Sequence, residues 1–216
     1  MSSRKKLYIK DMKPDQIAKV EARMRPREIS LHGRIFKSSG FTNFLGETEG
    51  LREVIEKDSR TLEKHGITHE QIADRLEALV REPQTEILGA DGKIDKKKRY
   101  EFHTLHFRGM IGCPFDDVGY SSTIITIKKL VRKKASGLIN RLLHPLGKWE
   151  VDGKISFHGV IGKHEPKEAL TAHMIRNHHF FGGSEEGVRV DPETAIRVLE
   201  IKPGVDYSIK AGEEKQ

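Results

Sequence analysis

The sequence is poor in several residues that would otherwise narrow its class. It contains a single cysteine, Cys113, so no disulfide can form within the chain, and a reducing compartment such as the cytoplasm is expected. It has no run of about 18 consecutive apolar residues, which argues against a transmembrane helix. Its first residues are basic and lack the apolar segment of a secretory signal. We therefore expect a cytoplasmic protein that folds around an ordinary hydrophobic core.

Aromatic residues are also few, at 6% of the chain with one tryptophan, so aromatic platforms for stacking nucleic-acid bases are not evident. The sequence lacks the P-loop, the G-x-G-x-x-G fingerprint, the G-x-S-x-G elbow and the H-E-x-x-H metal motif. With one cysteine no C-x-x-C pair can form, and the candidate pairs His103/His106 and His173/His178 do not have the H-x-x-x-H spacing. The sequence accordingly predicts no cofactor and no metal site.

Charge is abundant, and it is unevenly distributed. The formal net charge is +7, with basic excess in residues 1–46 and 91–164 and acidic excess in residues 47–90 and 165–216. Such alternation favours separate basic and acidic faces, and a basic face attracts RNA or another polyanion. The alternative is a solvated surface of high charge without a polyanionic partner.

The first part of the chain has helical patterns. They predict helices over Pro14 to Met24, over about Thr48 to Lys64, and from Thr68, where Thr68 and Gln71 form a capping box. A strand is expected from Glu28 to Phe36, and Pro83 closes the helical part. We therefore predict a mainly helical region over residues 1–84.

From Thr85 the pattern changes to strands. Tyr100 to Ile111 and Ser122 to Val131 are typical strands, and the Asp152-Gly153 pair inside Trp149 to Phe157 predicts a type I′ hairpin turn. A second Asp-Gly pair, in residues 90–93, predicts another hairpin. Helices follow from Pro166 to about His179 and from Pro192 to Leu199. We expect an α+β fold, with an antiparallel sheet and helices over residues 85–210, a disordered tail at 211–216, and one continuous domain as an alternative.

Side chains that could take part in catalysis or binding are most concentrated in residues 171–183. There His173, Arg176 and His178 precede Phe180, Phe181 and a glycine pair. On an ideal helix His173 and His178 lie about 140° apart, so they should not bind one ion unless the helix unwinds near His178. Arg176 lies beside His173, and the two could share an anion. We expect Gly182 to mark the helix end, His178 to be buried, and at least one phenylalanine ring to be buried. His173 and His179 should be more exposed.

One histidine of a predicted strand, His106, completes the list of catalytic candidates. His106 shares a face with Arg108, while His103, Leu105 and Phe107 are expected on the core face. Cys113 is expected to be buried and inert, as lone cysteines usually are. A zinc site from His103 or His106, Cys113, and His173 or His178 is the alternative. An enzymatic interpretation, a small hydrolase or nuclease, would use His106, His173 and His178 as acids and bases, with Arg176 stabilising anionic charge.

Two basic clusters flank the predicted strands and carry the leading hypothesis. Each contains five lysines and arginines, and strand pairing would bring them to one end of the sheet. The residues predicted to bind a polyanion are Lys96, Lys97, Lys98, Arg99, Lys128, Lys129, Arg132, Lys133 and Lys134. We expect this basic sheet region to bind RNA or another polyanion through phosphate contacts. A structural or partner-binding protein without a ligand site is the third interpretation.

Overall fold

A computed structural model describes residues 8–25, 28–31, 34–37, 44–81, 86–88, 94–115, 119–133, 148–158, 169–183 and 189–208. In these residues the fold is α+β, as predicted, with helices before and after an antiparallel sheet. Within the same ranges, no helix is both long and apolar enough to cross a lipid bilayer. The predicted tail and the turn at residues 90–93 lie outside the described residues.

The described helices begin and end close to the predicted residues. They are Pro14–Met24 (α1), Leu51–His65 (α2), His69–Arg81 (α3), Leu170–His178 (α4) and Pro192–Leu199 (α5). The capping box ahead of α3 is present, since Gln71 N donates to Thr68 Oγ1 at 3.1 Å and Thr68 N donates to Gln71 Oε1 at 3.0 Å. The Asp191 carboxylate caps α5 by accepting a hydrogen bond from Thr194 N at 2.8 Å. The predicted N-terminal caps of α3 and α5 are therefore confirmed.

The strands form two antiparallel sheets. Glu28–Leu31 (β1) pairs with Arg34–Lys37 (β2), so the single strand expected from Glu28 to Phe36 is divided in two. The larger sheet has four strands in chain order: Glu86–Leu88 (β3), Ile94–Gly112 (β4), Gly119–Lys133 (β5) and Lys148–His158 (β6). One face of this sheet, the inner face, packs against residues of α2, α3, α4 and α5.

The predicted hairpin at Asp152-Gly153 is wrong. β6 continues through this pair, which forms an irregularity opposite Lys129 and Leu130 of β5. A Cβ atom at Gly153 would lie 2.7 Å from Val198 Cγ2, so α5 approaches the strand too closely for any side chain. An Asp-Gly pair between strand-forming residues suits a β-bulge as well as a turn, and here the packing of α5 selects the bulge.

Helix α4 lies between two hydrophobic clusters. Ala172 and Ile175 belong to the cluster under the sheet, whereas Leu170 and Met174 belong to a second cluster with α1, Phe44, Cys113, Phe115 and Phe180. Residues 170–175 are consequently all buried, and His173 is only 7% exposed. The expectation that His173 would be exposed is wrong, because it assumed a helix with one apolar stripe.

The end of α4 lies close to the predicted residue, but it is formed by His179 and not by a glycine. The helix ends at His178, and His179 adopts the left-handed conformation with φ of 58°. The glycine pair serves another purpose: a Cβ atom at Gly183 would lie 2.9 Å from the Cα atom of Leu45, so two loops cross closely here. Phe180 and Phe181 are both buried, as expected of at least one of them.

Candidate functional site

The second hydrophobic cluster contains a group of three potential metal ligands. One donor atom each of Cys113, His173 and His178 lies within 4.8 Å of the other two. The exposed fractions of the three residues are 1%, 7% and 3%. The expected burial of Cys113 and His178 is therefore confirmed, and the sequence had placed all three residues among its candidates. The alternative zinc site combined Cys113 with one of these two histidines and with His103 or His106, and it did not indicate that His173 and His178 both join the cysteine.

Two chain segments bring this group together. Cys113 begins the short turn that follows β4, and the carbonyl of Pro114 in this turn accepts a hydrogen bond from Arg23 of α1 at 3.3 Å. His178 is the last residue of α4, where Phe180 N donates to the carbonyl of Met174 and the chain turns sharply. Both histidines lie within the helix, and their rings meet edge to face with centroids 5.2 Å apart, closer than their separation of about 140° on an ideal helix had indicated.

Neighbouring side chains hold both imidazole rings in position. The ring of Phe115 stacks on His178 with centroids 4.2 Å apart and planes 8° apart. The amide nitrogen of Asn177 lies 2.9 Å from Nδ1 of His173. Both ring orientations are thus defined by protein contacts, as is usual for histidines that bind metals.

Arg176 points away from this group. Its guanidinium forms ion pairs with Asp74 Oδ1 at 2.7 Å and Glu77 Oε2 at 2.8 Å, both from α3. Two carboxylates already match the charge of Arg176, so the predicted anion site of His173 and Arg176 loses its basis. In the described structure the arginine instead joins α4 to α3.

His106 does not belong to the group of Cys113, His173 and His178. It is exposed on β4, and its Nδ1 lies 3.2 Å from Oγ1 of Thr123 on β5. The core face predicted for this strand is wrong, since Leu105 is 61% exposed while Tyr100 is 1% exposed. Even-numbered positions of β4, including His106, therefore lie on the inner face.

Two further histidines have lowered pKa values, which favour the neutral imidazole. Burial lowers the pKa of His158 to about 4, and its Nδ1 is buried without a hydrogen-bond partner among the described residues. Burial and, to a smaller extent, the neighbouring His179 lower the pKa of His69 to about 3, since the two rings stack with centroids 3.8 Å apart. Neither histidine was a candidate from the sequence.

Strand pairing brings the two basic clusters together, as predicted, but strand alternation divides them between two faces. Arg99 lies opposite Leu130, so the ends of β4 and β5 coincide. Lys98 and Lys129 lie on the inner face, where both contact Glu200 Oε1, at 2.7 and 2.9 Å. Lys129 is buried and also contacts Asp152 at 3.2 Å. These two lysines stabilise the joint between the sheet and α5 and are not accessible cations.

The opposite face of the sheet, here called the outer face, carries a second set of basic residues. Backbone alternation and strand register place four cations there: Arg99, Lys128, Arg132 and Lys154. The same register places the acidic residues Glu86, opposite Arg99, and Glu101 on this face, and Glu101 pairs with Arg99 at 2.9 Å. The excess of positive charge is therefore on the outer face.

The outer face also carries Trp149, which the sequence did not single out as a binding residue. The guanidinium carbons of Arg99 and Arg132 each lie 4.7 Å from the centroid of its ring. Val151 on the same face is 57% exposed, so this part of the face is open. The alternation of Trp149 and Val151 is the sequence signal that could have identified the face.

The remaining residues that were predicted to bind a polyanion do not help to locate the binding face. Lys96 is exposed, and Lys133 pairs with Glu150 at 2.8 Å. The side chain of Lys97 and the whole of Lys134 lie outside the described residues.

Comparisons of this chain with protein-family models, with curated proteins and with solved structures found no match, so its function has to be inferred from these residues.

Proposed function

We propose that this protein binds single-stranded RNA through the outer face of its four-stranded sheet. The observation that carries the proposal is the contact of the Trp149 ring with the guanidinium groups of Arg99 and Arg132 on an open sheet face. Arginine contacts phosphate with a fork of donors and also offers a flat surface on which bases stack. One such group therefore provides both kinds of contact that single strands need.

The charge of the outer face supports the same function. Among the described residues, Lys128, Arg132 and Lys154 have no carboxylate within ion-pair distance, whereas Lys98 and Lys129 of the inner face do. A charge that no carboxylate matches can release counterions from a bound polyanion, which is the main source of affinity. An open sheet face is also better suited to single strands than to the grooves of a duplex.

The alternative function, a histidine-based hydrolase or nuclease, receives less support. His106 is not part of the group formed by Cys113, His173 and His178, Arg176 is held by two carboxylates, and His173 and His178 are almost fully buried. Acid–base catalysis needs these groups within hydrogen-bond reach of a substrate. Binding therefore explains the described geometry better than catalysis does.

Trp149 is the sole tryptophan of the chain, so its fluorescence reports directly on the proposed site. Titration with an unstructured oligouridine should quench this fluorescence. The logarithm of the affinity should fall with the logarithm of salt concentration with a slope of about −3, since four phosphate contacts contribute about −0.7 each.

Lys128→Ala should weaken oligouridine binding and reduce the magnitude of this slope by about 0.7. Lys57→Ala on α2 removes the same charge from a distant element and serves as the matched control. The proposal is refuted if oligouridine leaves the fluorescence unchanged, or if the two variants bind equally. Inorganic polyphosphate that binds as tightly as oligouridine would show that the face recognises charge and not RNA.

A further inference from the structure

We infer that Cys113, His173 and His178 form a binding site for one Zn²⁺ ion, separate from the outer face. The three donor atoms lie within 4.8 Å of one another. A tetrahedral zinc ion with Zn–S of about 2.3 Å and Zn–N of about 2.0–2.1 Å holds its donors roughly 3.3–3.7 Å apart. Closing the group around an ion therefore needs side-chain movements of about 1 Å, which small changes of χ angles provide.

The kinds of donor select the ion. One thiolate and two imidazoles form a set of intermediate softness, which favours zinc over the hard ions magnesium and calcium. Three protein ligands leave one position of the tetrahedron for a water molecule or another ligand, and this arrangement is common for zinc. A proton leaves the Cys113 thiol when the ion binds, so the site carries a net charge of +1 with both histidines neutral.

The surroundings of the group also suit a metal site. Asn177 adjoins Nδ1 of His173, and a half-turn of its amide would place the oxygen there to accept the Nδ1 proton. Nε2 of His173 would then present its lone pair to the ion. Phe115 holds the second ring by stacking on His178. Partners that orient ligating histidines in this way are typical of zinc sites.

Burial favours this interpretation over a cysteine nucleophile. Cys113 is 1% exposed and lies in an apolar cluster with Phe115, Met174 and Phe180, so a substrate has no described path to its sulfur. A nucleophilic thiolate has to reach its substrate, whereas a bound ion needs only its ligands. Because the group joins the turn after β4 to the end of α4, binding of the ion should also stabilise the fold.

The test is titration of the reduced, chelator-treated full chain with Co²⁺, a spectroscopic substitute for zinc. We expect one ion per chain, the visible bands of tetrahedral cobalt, and a near-ultraviolet sulfur-to-cobalt charge-transfer band. Zn²⁺ should displace the cobalt and raise the Tm. Cys113→Ser should remove the charge-transfer band, and His178→Asn should weaken cobalt binding at least tenfold.

The adjacent histidine provides the matched control. His179 stacks on His69 and has φ of 58°, a conformation that asparagine adopts readily. His179→Asn should therefore bind cobalt as the unmodified chain does. Circular dichroism establishes that each variant is folded. If His178→Asn does not fold, Asn177→Ala replaces it, and the expected result is weaker cobalt binding.

The inference is overturned if the unmodified chain binds less than a tenth of an equivalent of cobalt. It is also overturned if no charge-transfer band appears, or if His178→Asn and His179→Asn bind cobalt equally. Oligouridine binding is measured separately, so failure of the zinc site leaves the RNA proposal unaffected.

Discussion

Replacement of Gly153 by alanine tests how α5 packs on the sheet. The described glycines with positive φ are Gly66, Gly182 and Gly204, so Gly153 is not needed for a left-handed conformation. It is needed for space, because its Cβ would lie 2.7 Å from Val198 Cγ2 and 3.2 Å from a guanidinium nitrogen of Arg197. Overpacking of this kind costs about 1–3 kcal/mol. We expect Gly153→Ala to lower the free energy of unfolding by that amount.

A double-mutant cycle separates this clash from other effects. Val198→Ala alone should cost about 2–3 kcal/mol, because it removes two buried methyl groups and leaves a cavity. In the double variant the new methyl group enters the space left by valine. The double variant should therefore lose about 1–2 kcal/mol less unfolding free energy than the sum of the two single losses. Urea denaturation followed by circular dichroism measures all three variants.

Gly50→Ala is the control, because its Cβ would meet Glu53 at an ordinary distance of 3.4 Å. Its cost should be below about 1 kcal/mol. The reasoning is refuted if Gly153→Ala costs no more than this control and shows no coupling to Val198→Ala. That result would mean that α5 does not rest on the bulge, and it would return the Asp152-Gly153 pair to the hairpin interpretation.

Two further predictions concern the cluster around α4. Phe180→Ala should cost about 3–5 kcal/mol in urea denaturation, because its ring is 0% exposed; a loss below about 1 kcal/mol would contradict the packing of the second cluster. His158 titrates near 6.5 when unfolded and near pH 4 when folded, so the unfolded chain binds its proton more tightly. Stability from neutral His158 is therefore complete above pH 6.5 and is lost as the pH falls towards 4, by about 3 kcal/mol. His158→Gln should flatten the pH dependence of unfolding in this window, and an unchanged slope would contradict the shift.

Local sequence signals predicted the elements of this fold well. Proline at the start of α1, the Thr68–Gln71 capping box and the Asp191-Pro192 pair each act within one helical turn, so no distant contact is needed to interpret them. The β-branched run of β5 predicted a strand for the same reason. The hairpin at Asp152-Gly153 was wrong because its geometry depends on α5, which lies about 40 residues later in the chain.

The faces of the elements were harder to predict. The pattern of β4 suggested that Leu105 faces the core, but the neighbouring strands and helices place Tyr100 there instead. A strand of alternating mixed residues has two plausible core faces, and only the packed helices decide between them. For the same reason the sequence prediction did not divide each basic cluster between the two faces of the sheet. Lys129 lies next to Lys128 in sequence but on the opposite face.

The sequence by itself determined which segments form helices or strands and the approximate ends of most helices, because capping, proline and β-propensity act over a few neighbouring residues. It also determined how many charged residues and histidines the chain has and where they lie along it. Only the tertiary structure decided which of these side chains meet. Burial of α4 on both sides and the turn at Cys113 bring a thiol and two imidazoles together from positions some 60 residues apart. Such convergence depends on long-range packing, which no local pattern encodes.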